Sequence, residues 1–152
     1  MARTITVKGI GKASAKPDYV VFSMTLESKH KDYDKAMEML FMLNGVKKLK
    51  EGSGRMAIIQ NGSSLFTGDA GSGASEIRRY VIEGDLVEAI IQLPTDLFYN
   101  TGISTYIWVL TKGKAMYRSG KVQLIDASKC FVKRRKNIGS KRVDLDDACI
   151  DL

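Results

Sequence analysis

The stretch TGDAGSGASEIRR, running from Thr67 to Arg79, has the residue types of a phosphate-binding loop that opens onto a helix. Ser75 can cap a helix, Glu76 would sit in its first turn, and Gly84 would stand just past its last turn. Free backbone amides at such an N-terminus, beside glycines that permit close approach, suit an anion. The glycine order is G-x-x-G-x-G (Gly68, Gly71, Gly73), which is not the order of a dinucleotide turn, and no Gly-Lys-Ser/Thr follows to cradle a triphosphate. The spacing leaves two readings open: a ligand loop, or an ordinary strand-to-helix connection.

Other residues with chemical potential are few. The two cysteines, Cys130 and Cys149, lack a C-x-x-C spacing and read as reduced cytosolic thiols. His30, the single histidine, has no Cys or His partner at ligand spacing, so no metal site is expected and it reads as a solvated strand-end residue. Charge is the stronger signal. From Lys129 to Arg142 the segment KCFVKRRKNIGSKR carries seven basic residues and no acid, matching the whole net charge of +7. Asp144, Asp146, Asp147 and Asp151 then reverse the sign. Such a run can neutralise phosphates in a salt-sensitive way, with Lys133, Arg134, Arg135, Lys136, Lys141 and Arg142 as the candidate DNA contacts. It also fits a solvated, partly ordered tail.

The elements that must position these residues follow from periodicity. At 152 residues the chain has one domain's length, and 44% hydrophobic with 27% charged residues is a globular composition. The longest apolar runs, VEAIIQL and YIWVL, are strand-sized, and the opening ARTITVKG has no signal-peptide core, so no membrane span or export is expected and the location reads as cytoplasmic. Alternation predicts strands at Thr4 to Ile10 and at Tyr19 to Glu27, joined by a turn around Lys16-Pro17-Asp18. Asp32 to Lys50 is predicted helical, with Tyr33, Ala36, Met37, Leu40, Leu43 and Val46 on one face and its methionines as core filler. Strands are expected at Arg55 to Gln60, Leu86 to Leu93, Ser104 to Thr111 and Lys121 to Asp126, with a helix from Ser75 to Glu83. Strands alternating with helices indicate an α/β layered fold.

Two resemblances arise from longer stretches. RTITVKGIGKASAKPD and MTLESKHKDYDKAME, within residues 1–40, resemble the start of a SIMPL-type domain. From about Phe41 to Arg142 the chain resembles the M subunit of type I restriction-modification systems, a DNA adenine methyltransferase. The stretches that carry this are GRMAIIQNGSSLFTGDAGSGASEIRR, LVEAIIQLPTDLFYNTGISTYIWVLTK and GKVQLIDASK. The implied organisation is a SIMPL-like hairpin and helix start at 1–40, a methyltransferase-like α/β part at 41–128, and a basic then acidic tail at 129–152. The implied fold is a mixed β-sheet with flanking helices: a partial, Rossmann-like methyltransferase sheet completed by the N-terminal β-hairpin. Its inner order is expected to run 4–10, 19–27, 55–60, 104–111, 86–93, with 104–111 antiparallel to its neighbours.

The second resemblance also implies roles. The methyl donor of the family, S-adenosylmethionine, binds in the first half of the catalytic fold, so Thr67–Arg79 is expected to be a connecting loop. Adenine methylation needs an (Asn/Asp)-Pro-Pro-(Phe/Tyr) motif, and the only prolines, Pro17 and Pro94, are far apart. No catalytic residue and no cofactor are therefore expected in this chain. The family's aromatic stacker on the flipped adenine aligns with Phe98, with Tyr99 beside it; packing at a strand end is the other reading of Phe98. Asn61 matches an Asn-Gly turn, and Trp108 is expected in the core. The implied partners are DNA and the specificity or restriction subunits. The alternative function is a SIMPL-like interaction or stress-response module without enzymatic activity.

Overall fold

The computed structural model describes residues 31–146 and 149. The hairpin expected from residues 4–10 and 19–27, its turn at Lys16–Asp18, and His30 lie outside the described residues. The rest is laid out as helix α1 (Lys31–Lys48), strand β1 (Arg55–Asn61), helix α2 (Gly73–Glu83), and strands β2 (Val87–Gln92), β3 (Thr105–Thr111), β4 (Gln123–Asp126), β5 (Val132–Ile138) and β6 (Lys141–Asp144). Among the described residues β1 to β4 form one sheet in the order β1-β3-β2-β4, and β5 and β6 pair as a separate hairpin. β3 runs antiparallel to both β1 and β2, as the expected inner order requires, and β4 lies parallel to β2 at the edge. The fold is a mixed α/β one.

One face of the sheet carries the core. Met39, Met42 and Val46 of α1, Val81 of α2, Val87 of β2 and Trp108 and Leu110 of β3 are all but inaccessible to water. Spacings of three and four residues place the three α1 side chains on one stripe. This differs from the expected stripe: Leu40 is exposed, and Met37 and Leu43 are only half-buried. The cause is that apolar residues run almost continuously from Met37 to Leu43, so periodicity alone could not select the buried side. The methionines do fill the core. Gly45 belongs to the same packing, because a Cβ there would stand 2.7 Å from the Met56 sulfur.

The opposite face presents a cross-strand row, Ile59 of β1, Ile107 of β3, Ile91 of β2 and Ile125 of β4. Ile107 packs on a second, smaller core of Leu93, Leu97 and Val143, with Phe98 against it. That cluster joins the β5–β6 hairpin to the loop after β2. Trp108 is 1% exposed, and its indole N–H donates to Ser64 Oγ at 3.2 Å. The Ser64 hydroxyl in turn donates to the Asn61 carbonyl at 2.9 Å. A wide apolar ring with one satisfied polar edge is what a buried tryptophan needs.

Candidate nucleic-acid interface

The glycine-rich loop closes on itself. The cap of α2 is Ser72, three residues before the expected Ser75, and its hydroxyl accepts from the Ser75 amide at 3.4 Å. Gly68 and Gly71 have φ of 96° and 83°, and a Cβ on Gly68 would collide with the Ser72 hydroxyl. Left-handed glycines thus wind the loop back onto its own cap. Arg78 ties down the approach, donating to the carbonyls of Ser64 at 3.3 Å and Thr67 at 2.5 Å. Asn61 caps the short 3-10 turn Gly62–Leu65, accepting from the Ser63 amide at 3.0 Å, which is turn chemistry. The stretch is a built connection between β1 and α2.

At the far end of α2, Gly84 is the cap residue itself, and Asp85 takes the left-handed position with φ 53°. The Asp85 amide donates to Ile82 O and the Leu86 amide to Val81 O, both at 3.0 Å, which is a Schellman closure with an aspartate where glycine is usual. Its carboxylate accepts from the Lys114 ammonium and from the Gly120 amide at 2.9 Å. The hydrogen bond from Lys114 holds the Asp85 carboxyl below the ordinary aspartate range.

The basic run is folded. Val132–Ile138 and Lys141–Asp144 form an antiparallel hairpin with Val132 opposite Asp144 and Lys133 opposite Val143. Sparse apolar residues anchor it, chiefly Val143 in the small core. Backbone hydrogen bonds join it to the loop after β2: the Arg142 amide donates to Asp96 O at 2.8 Å and the Ser140 amide to Tyr99 O at 2.9 Å. Gly139, with φ 57°, lets the turn pass against Tyr99.

The six expected DNA-contacting cations divide in two. Asp144 pairs with Arg134 at 2.5 Å and with Lys141 at 2.8 Å. These partners, Lys141 first, hold its carboxyl below the ordinary aspartate range. Lys133, Arg135, Lys136 and Arg142 are exposed and make no ion pair among the described residues. The two aromatic candidates also separate. Phe98 is half-buried against the small core, whereas Tyr99 is 61% exposed beside the hairpin turn.

Between hairpin and loop lies a groove of about 410 Å³, lined by Thr95, Asp96, Phe131, Lys133, Arg134, Asn137, Arg142 and Val143. Thr95, Asp96, Phe131 and Asn137 were not singled out from sequence. The N-I-G-S turn between two short basic strands was the available signal for the hairpin, but nothing local reports that Asp96 meets Arg142. An ion cluster around a buried carboxylate was also missed: Glu88 of β2, at a register shift in the strand, pairs with the largely exposed Arg55 at 2.9 Å and with Arg118 at 3.4 Å.

A family model described as N-6 DNA methylase matches residues 18–148. The chain belongs to that family. Among relatives, it is 35% identical over 95 residues to the type I restriction enzyme MjaVII methylase subunit of Methanocaldococcus jannaschii, covering 59% of this chain and 16% of the relative. To the HindI methylase subunit of Haemophilus influenzae it is 39% identical over 75 residues, again 16% of that protein. The crystal structure of a type I restriction-modification methyltransferase subunit from Streptococcus thermophilus superposes with a TM-score of 0.62 at 32% identity, over 74% of this chain and 22% of that one. The EcoKI M protein, at 21% identity and a TM-score of 0.50, shares the fold. The chain thus spans about a sixth of the length of these curated relatives. The SIMPL-type resemblance of residues 1–40 finds no support, nor does a SIMPL-like module as the function. The methylase match begins inside that segment, at residue 18, and a strand–turn–strand opening is too common a pattern to mark one family. No described helix is long and apolar enough to cross a membrane.

Proposed function

We propose that this methylase-family chain contacts the DNA backbone through its basic hairpin, as the late part of the catalytic fold of a type I M subunit. The observation that carries this reading is the set of four cations without an ion pair among the described residues, Lys133, Arg135, Lys136 and Arg142, on a hairpin anchored to the sheet. Cations free of protein partners can release counterions from phosphates, and they carry no base-reading geometry of their own. Within this reading, residues 41–128 supply the α/β part and the segment from 129 supplies the DNA contacts. Tyr99 is the ring free to meet a base, and Phe98 fixes the loop that presents it. DNA is the primary partner, and specificity or restriction subunits are the protein partners that the kinship suggests.

The described residues do not fit S-adenosylmethionine, the methyl donor of the family. The turn after β1 is filled, since a Cβ on Gly62 would lie 3.3 Å from the Tyr106 ring and Asn61 is engaged as a cap. In the other glycine loop the carbonyls of Ser64 and Thr67 are taken by Arg78. This chain by itself is therefore expected neither to hold the donor nor to methylate. Fluorescence anisotropy with unrelated duplex sequences tests the binding reading: equal, salt-sensitive affinities support it and a strong preference for one sequence contradicts it. Incubation with labelled donor and adenine-containing duplex tests the second part, and turnover above a blank would overturn it.

A further inference from the structure

The groove between the hairpin and the loop after β2 has a composition that duplex backbone binding does not require. We propose that it accepts one unstacked nucleotide of single-stranded DNA, with the phosphate on Lys133 and Arg142 and the base against Phe131. The proposal rests on the DNA-binding reading in so far as both use Lys133 and Arg142 of the hairpin, but its ligand differs and it adds Phe131, Asp96 and Asn137.

At about 410 Å³ the groove falls in the size range of small-ligand sites, roughly 300–1,000 Å³. Phe131 is 38% exposed at its wall, enough to offer a ring to a base. Lys133 and Arg142 line it without ion pairs among the described residues, while Arg134 is already held by Asp144. Asp96 and Asn137 complete the wall. A carboxylate there repels a bare anion. It suits a ligand with two unlike ends, a phosphate for the cations and an amino-bearing base edge for Asp96 and Asn137. A base inside a duplex cannot offer its face and its pairing edge together, so the occupant must be single-stranded or extruded. The walls are set in advance, because the Arg142 amide is bonded to the Asp96 carbonyl at 2.8 Å.

The test compares the full chain with Phe131→Ala and Phe131→Tyr, using anisotropy on a labelled oligodeoxynucleotide of about 10 nucleotides and on its duplex. Phe131→Ala should weaken single-strand binding on the order of tenfold and leave duplex affinity and its salt slope unchanged, and Phe131→Tyr should restore the single-strand affinity. Equal losses on both ligands, or no loss on the single strand, would overturn the proposal. A wild-type chain that binds the single strand in a Phe131-dependent way but never binds duplex would support the groove and sink the backbone reading. Duplex binding with a Phe131-insensitive single strand would sink the groove alone.

Discussion

Gly139 lies so close to Tyr99 that a Cβ on it would stand 2.8 Å from the Tyr99 carbonyl oxygen and 2.9 Å from its ring. Together with the Ser140–Tyr99 hydrogen bond, this contact seats the basic hairpin on the sheet's loop. Gly139→Ala combines that clash with a left-handed φ of 57°, which costs a side-chain-bearing residue about 1–2 kcal/mol. The expected outcome is a loss of at least that size in chemical denaturation, with faster amide exchange at Ser140 and Arg142. Unchanged exchange there would show that the hairpin is seated by other means.

Asp144 controls how many cations face outward. Its carboxyl lies below the ordinary aspartate range because Lys141 and Arg134 bond its charged form. A depressed folded-state value means the stabilisation is fully present above the ordinary aspartate value, about 3.9. It is lost as pH falls through the lower folded value. Titration of the Asp144 side chain by NMR should show that depression, and a midpoint at or above the ordinary value would contradict it. Asp144→Asn should release both cations and steepen the salt dependence of duplex binding by up to about two units of slope.

Ser64 supports the core from below Trp108. Ser64→Ala leaves the indole N–H buried without its acceptor, at a cost of about 1–3 kcal/mol in unfolding free energy. Trp108→Phe leaves a cavity and costs stability of its own, but Ser64→Ala should cost less in that background than in the parent, since the donor it would orphan is gone. Additive losses in the double-mutant cycle would refute the coupling.

Legibility from sequence followed the strength of the local pattern. β1, β2 and β3 read correctly because their apolar runs are strand-sized and bounded by turn residues, and the order β1-β3-β2 with an antiparallel centre matched the expected one. The buried stripe of α1 did not, because apolar residues nearly surround that helix. The α2 cap was misplaced by three residues because Ser72 and Ser75 are chemically alike, and only the glycine turn decides between them. The hairpin within the basic run was hidden by its composition: charged residues occupy most of β5, so the period-2 signal reduces to Val132 and Ile138. The division of the cations by Asp144, and the groove built around Asp96, depend on contacts between distant segments that no local pattern carries.

The central claim is that Lys133, Arg135, Lys136 and Arg142 hold DNA by its phosphates, and the salt dependence of duplex binding tests it most directly. Four phosphate contacts predict a slope of log affinity against log salt of about −4, with dissociation constants on the order of 10⁻⁴ to 10⁻⁶ M at physiological salt. Replacing the four residues with glutamine should bring the slope close to zero for every duplex sequence, while thermal unfolding stays within a few degrees of the parent. Salt-independent affinity in the parent chain, or no binding even at low salt, would contradict the account.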